Sequence, residues 1–131
     1  MKNLIIIFTL LFSTVFFSSP SYAEWTKVDE GASGDTYYVD FERIQKHDEF
    51  IYFWYIRDYL KPETNGDLSG KEYRQGDCKL FRYKILSSSF HKEPMGGGTS
   101  FVPFDYFWSE DWKKNLGNSL DGTILKSVCS R

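Results

Sequence analysis

The sequence predicts an α+β domain, a single antiparallel β-sheet packed by a C-terminal α-helix and tied by one disulfide. Three observations carry that expectation. Runs rich in aromatic and β-branched residues are separated by turn-forming segments, only the last stretch repeats its apolar residues at helical spacing, and the chain holds just two cysteines, Cys78 and Cys129.

The first segment is expected to be absent from the folded protein. Residues 1–23 read MKNLIIIFTLLFSTVFFSSPSYA, with a positive start at Lys2, an apolar run from Leu4 to Phe17, and small residues at Ser21 and Ala23. This is the pattern of a Sec-type signal peptide cut between Ala23 and Glu24. The apolar run is shorter than the ~20 residues of a spanning helix, and no stop-transfer charge cluster follows, so no stable membrane insertion is expected after cleavage. Glu24 rather than a cysteine follows the cut, which leaves no lipid anchor there and an exported protein of the periplasm, the medium or the cell surface. Losing Lys2 moves the formal charge from −2 to −3. The remaining segment, 24–131, is the size of one small domain. A nucleic-acid binder needs a basic face to displace condensed counterions. Here KVDEG, FERIQKHDE and SEDWKK interleave the two signs, so no nucleic-acid partner is expected.

In chain order, EWTKV (24–28) leads through Gly31 and Gly34 into DTYYVD (35–40), a strand by composition. FERI (41–44) is a short half-apolar link and KHDE (46–49) a turn. A long strand follows in EFIYFWYIRDYL (49–60), where Phe50, Tyr52, Trp54, Ile56 and Leu60 alternate with Ile51, Phe53, Tyr55, Arg57 and Tyr59. The first set is mostly apolar and is expected beneath the helix, with Trp54 in the core. The second set mixes rings, phenol hydroxyls and a guanidinium, and is expected to remain open. Pro62 ends the strand and PETNGDLSG (62–70) reads as turn. CKLFRYKILSSSF (78–90) is the next long strand, expected to be its antiparallel partner.

HKEPMGGGTS (91–100) reads as a mobile hairpin connection. Its glycine triplet is no phosphate loop, because no lysine follows Gly98 until Lys113. FVPF (101–104) suits an edge strand, since Pro103 lacks the ladder donor. In SLDGTILKSVCSR (119–131), Leu120, Ile124 and Val128 recur every four residues, with Leu125 and Cys129 extending the face. Ser119 is placed to cap this helix, and Lys126 and Arg131 suit its C-terminal end. The helix would lay Cys129 against the sheet within reach of Cys78.

In an oxidising compartment an even pair of cysteines most simply forms one disulfide, worth ~4 kcal/mol for a loop of this length on the chain-entropy reckoning. The alternative, a metal held by Cys78, Cys129, His47 and His91, lacks any zinc-motif spacing. His47 and His91 read as surface residues. Asp48-Glu49 and Glu110-Asp111 are adjacent pairs, which a strand throws to opposite faces, and no Gly-x-Ser-x-Gly occurs. No enzyme, cofactor or metal is therefore expected. The open face of Phe53, Tyr55, Arg57 and Tyr59 has the composition of an interface and is expected to bind a protein ligand, or a second copy of the chain as a homodimer.

The ordered set Trp25 and Val28, YYVD followed by Ile44, FWYIRDY (53–59), Ser69 with Lys71, Asp77-Cys78, Gly117 and Ser119, and Cys129 resembles the surface-adhesin protein E family of small exported bacterial proteins. The resemblance spans nearly the whole of 24–131. It implies an antiparallel sheet packed by a C-terminal helix, a disulfide joining the two, no cofactor and, as in some members, adhesion to host extracellular-matrix or serum proteins. Those members are lipid-anchored, whereas Glu24 follows the expected cut here. The alternative is a periplasmic structural or inhibitory module with an endogenous protein partner.

Overall fold

The computed structural model describes residues 24–102 and 111–131. The expected leader, with Ala23, and the Pro103-Phe104 end of the expected edge strand lie outside the described residues. The strands are β1 (Trp25–Glu30), β2 (Thr36–Asp40), β3 (Gln45–His47), β4 (Phe50–Asp58), β5 (Ser69–Asp77), β6 (Arg82–His91) and β7 (Ser100–Phe101), followed by one helix, α1 (Leu120–Cys129). They form one antiparallel sheet in the order β1-β2-β4-β5-β6-β7. The short β3 shares β4 with β2: β3 pairs with Phe50 to Tyr52, and β2 with Tyr55 to Asp58. Lys46 and His47 thus belong to a strand rather than a turn. The bend itself falls on Asp48, at φ 56, a conformation that Asp tolerates.

The partner of β4 differs from the expected one. It is β5, drawn from residues that the sequence leaves as turn or unassigned, and β6 pairs with β5 instead. SGKEYRQGD carries two glycines, four charges and a single aromatic, a poor strand by composition. It is a strand because β4 and β6 satisfy its backbone groups from both sides. Cys78 to Phe81 turn the chain between β5 and β6. There the Asp77 carboxylate accepts from the backbone N–H of Lys79 and Leu80, both at 3.1 Å, and from Arg82 Nε at 2.9 Å. Burial acts against the Asp77 charge, but these donors outweigh it and hold the carboxyl below the usual range.

The helix forms where its spacing predicts. Ser119 caps it by accepting the Gly122 N–H at 3.2 Å, and Ile124, Leu125 and Val128 are buried. They close a core with Val39, Ile51, Phe53 and Tyr55. Gly76 sets the docking point: a Cβ there would sit 2.8 Å from both Ile51 Cγ2 and Leu125 Cδ1. The expected disulfide is present, joining Cys78 in the β5–β6 turn to Cys129 in the last turn of α1, with a Cα–Cα distance of 5.8 Å. At ten residues, α1 is about 15 Å long. The nine residues of β5 run for roughly 30 Å. The helix is shorter than the strands it packs on, and part of that side of the sheet stays uncovered.

The two faces of β4 are the reverse of the expectation. Ile51, Phe53 and Tyr55 are 3%, 0% and 5% exposed beneath α1, whereas Phe50, Tyr52 and Trp54 are half-buried on the outer face. Both alternating sets carry rings, so the hydrophobicity of β4 alone does not orient it. The neighbours decide, because Gly76 lies opposite Ile51 and Val39 opposite Tyr55, on the side where the helix lands. Ile56 is also sealed, since the turn Pro94–Gly96 lies over it; a Cβ on Gly96 would come within 3.2 Å of Ile56 Cδ1. The connection expected to be mobile is pinned to the sheet. Met95 N–H donates to Asp58 Oδ1 at 2.8 Å, Gly96 N–H to Ser69 Oγ at 2.9 Å, and Ser69 Oγ to the Glu93 carbonyl at 2.7 Å.

Candidate functional site

The outer face carries a ribbon of rings. Trp54 and Tyr73 have centroids 4.6 Å apart, and Tyr52 stacks on Tyr73 at 6.3 Å. At one end Phe50 meets Trp112 at 5.6 Å, and Arg82 lies 4.1 Å from the Trp112 ring. Lys71 Nζ sits 4.6 Å from the Trp54 centroid. Partial burial, with the Arg43 charge nearby, lowers the Lys71 pKa, while Asp40 partly offsets them. Tyr52, Trp54, Tyr73 and Lys71 all remain half-buried. Such rings supply contact area while tolerating solvent when the surface is empty.

The helix side holds a second feature in the part that α1 leaves open, a cleft of about 330 Å³ between the start of α1 and strands β4 to β6. Its floor is Arg74, only 3% exposed and set 4.1 Å and 4.3 Å from the Tyr55 and Tyr83 rings. Arg74 Nε pairs with Glu72 at 2.7 Å and Nη1 with Asp121 at 2.9 Å. Burial disfavours the Arg74 charge, yet these carboxylates hold it protonated. At the mouth Arg57 lies 5.6 Å from the Tyr37 ring and 5.4 Å from that of Tyr59, and its guanidinium pairs with Asp35 at 2.8 Å. Desolvation pushes the Tyr59 and Tyr83 hydroxyls up to about 12, against the pull of the neighbouring arginines.

Of the residues read as an open binding strip, Phe53 is core and Tyr55 forms part of the cleft floor, while Arg57 and Tyr59 stay partly exposed at its mouth. His91 is also misplaced by the sequence reading. It is 8% exposed, with Nε2 2.8 Å from Ser89 Oγ and Nδ1 without a hydrogen-bond partner. Desolvation and then Lys71 push its pKa down, partly offset by Asp67. A nucleophilic Ser–His pair needs a third group to orient the base. Asp67 is paired with Lys92 at 2.9 Å instead, so Ser89 and His91 are not arranged as a catalytic pair. Lys71, Glu72, Tyr73 and Arg74 were missed because β5 was missed. Gly70 and Gly76 were the available signal, since a strand glycine marks close approach by another group.

Among the described residues, no group of three or more His, Cys, Asp or Glu side chains is placed to hold a metal, and no helix is long and apolar enough to cross a membrane. An antiparallel sheet backed by one disulfide-tied C-terminal helix makes this a small β-rich domain. The family described as surface-adhesin protein E matches residues 25–130, and the chain belongs to that family. Its fold is shared with Haemophilus influenzae protein E. Crystal form II of that protein matches at TM-score 0.65 and 15% identity, over 85% of this chain and 91% of the other. The selenomethionine form matches at TM-score 0.64 and 15% identity, over 88% and 94%. Protein E from non-typeable Haemophilus influenzae matches at TM-score 0.60 and 15% identity, over 86% and 79%. No curated protein is a sequence match to the chain.

Proposed function

We propose that the chain is an exported binding protein of the adhesin type that recognises a protein ligand, from host matrix or from the bacterial envelope, through the outer face of its sheet. The observation that carries this reading is the ribbon of Tyr52, Trp54 and Tyr73, half-buried on the face opposite α1 with Lys71 at its edge. Tyr and Trp are the ring types that interfaces enrich, and they order at low entropic cost. The binding strip thus moves from Phe53, Tyr55, Arg57 and Tyr59 to the alternate residues of β4. The experiment is Tyr52→Ala with Trp54→Ala, checked for fold by circular dichroism and for homodimer formation by light scattering. Capture is then measured from solubilised matrix and from envelope extract. A folded double variant that keeps its mass and every captured protein would remove the outer face as the site.

Export rests on residues 1–23 and predicts a mature chain starting at Glu24, which intact-mass measurement of exported protein reads directly. That Glu24, not cysteine, follows the cut favours a second reading, a periplasmic module with an endogenous partner. Protease added to intact cells separates the two: degradation places the protein at the surface, protection in the periplasm.

A further inference from the structure

We propose that the cleft at the start of α1 is a binding site for a neutral saccharide of one or two rings. This site lies on the opposite side of the sheet from the protein-binding ribbon and does not depend on it. The cleft exists because of Gly70. A Cβ there would stand 3.0 Å from the Tyr59 hydroxyl and 3.6 Å from Phe90, so the missing side chain lets both rings lie low across β5. On the same strand face Gly76 admits the helix, and the interval between the two glycines carries Glu72 and Arg74 into the uncovered part. At about 330 Å³ the space falls near the lower end of small-molecule sites, roughly 300–1,000 Å³.

The charges choose the class of occupant. Arg74 already meets Glu72 and Asp121, and Arg57 meets Asp35, so an anion entering the cleft would approach carboxylates whose guanidiniums are taken. A cation would find the same carboxylates already paired with guanidiniums, so neither sign of charge meets an uncompensated partner. Lys71, whose chain also borders the cleft, holds its ammonium over Trp54 on the other face. A purely apolar guest would cover the partly exposed Glu72 carboxylate without offering it a donor, at the cost of burying a polar group. What remains is a neutral molecule bearing hydroxyls. Half-buried rings at Tyr59 and Phe90 offer apolar surface to the C–H face of a pyranose. Glu72 accepts from ring hydroxyls, and the Ser88 and Tyr59 hydroxyls donate or accept.

The test is an amide-resolved NMR titration of the folded domain with millimolar lactose, maltose, chitobiose and N-acetyllactosamine. Sodium sulfate and choline serve as the anion and cation probes. At least one sugar should move the amides of Tyr59, Gly70, Glu72 and Asp121, while the ionic probes leave them in place. Tyr59→Ala removes a wall and Gly70→Val fills the floor, and each should weaken that sugar's binding about tenfold or more. Trp54→Ala, on the other face, should leave it unchanged. The site is overturned if no sugar shifts these amides, if sulfate or choline shifts them instead, or if the shifts map to Tyr52, Trp54 and Tyr73. It is equally overturned if folded Tyr59→Ala and Gly70→Val proteins both bind as the parent does.

Discussion

On the helix side of the sheet Arg74 lies between the Tyr55 and Tyr83 rings with two carboxylates attached, while on the outer side Lys71 rests on Trp54 beside Tyr73. The same pairing of cation and ring serves both faces. The difference is depth: a guanidinium removed from water must be matched by charge and hydrogen bonds, whereas a half-solvated ammonium keeps water as its partner. Matched groups make the helix side a fixed scaffold. The solvated outer side retains surface that a partner can still bury.

The sharpest break of this comparison is Phe53→Ala against Trp54→Ala, neighbours in sequence on opposite faces. Emptying the fully buried Phe53 site should lower unfolding free energy by ~3–5 kcal/mol. Trp54→Ala, on a half-buried ring, should cost about 1–2 kcal/mol. Urea unfolding of the two variants reads both, and a larger loss for Trp54 would reverse the faces. Second in size is the disulfide, which joins residues 51 apart and fastens α1 to the helix side alone. Cys78→Ala with Cys129→Ala should cost about 2–4 kcal/mol. Hydrogen exchange should then quicken in α1 while the β4–β5 ladder keeps its relative protection.

The smallest effect separates the faces by pH. His91, on the outer side against Ser89, Lys71 and the Asp67–Lys92 pair, has a pKa held below 6.5 by desolvation and then by Lys71. Its contribution to stability is therefore complete above about 6.5 and is lost as pH falls through the depressed folded value. Thermal midpoints should decline slightly between about pH 7 and pH 5, and His91→Gln should flatten that slope. An unchanged slope in the variant would assign the decline elsewhere. Asp35 is protected differently. Burial opposes its charge, but the Leu60 N–H and Arg57 hold its carboxyl low, so its contribution is present above about 3.8 and fails only at lower pH.

Much of the fold is legible locally. The Leu120, Ile124, Val128 spacing, the Ser119 cap and the cysteine pair are properties of short stretches or simple parity, and each survives in the structure. β5 was illegible because in SGKEYRQGD only Tyr73 favours an extended backbone; its conformation is imposed by two neighbours. The facing of β4 was illegible for a related reason. FIYFWYI puts rings on both sides, and the information that orients it sits in Gly76, a residue whose contribution is the space it leaves. The candidate sites inherited both gaps, since the ribbon needs Tyr73 and the cleft needs Glu72 and Arg74.

Cys129 stands two positions from Arg131, and its sulfur is bonded to the turn between the two longest paired strands. A pull applied at that end of the chain cannot unwind α1 from its tail. The load passes through the sulfur bridge into the β5–β6 hairpin as well as into the helix. Lys46, which donates to the Arg131 carbonyl at 2.7 Å, adds a second and weaker stay to β3. The last turn of α1 and the residues after it are thus held to the sheet at two points, one covalent and one hydrogen-bonded.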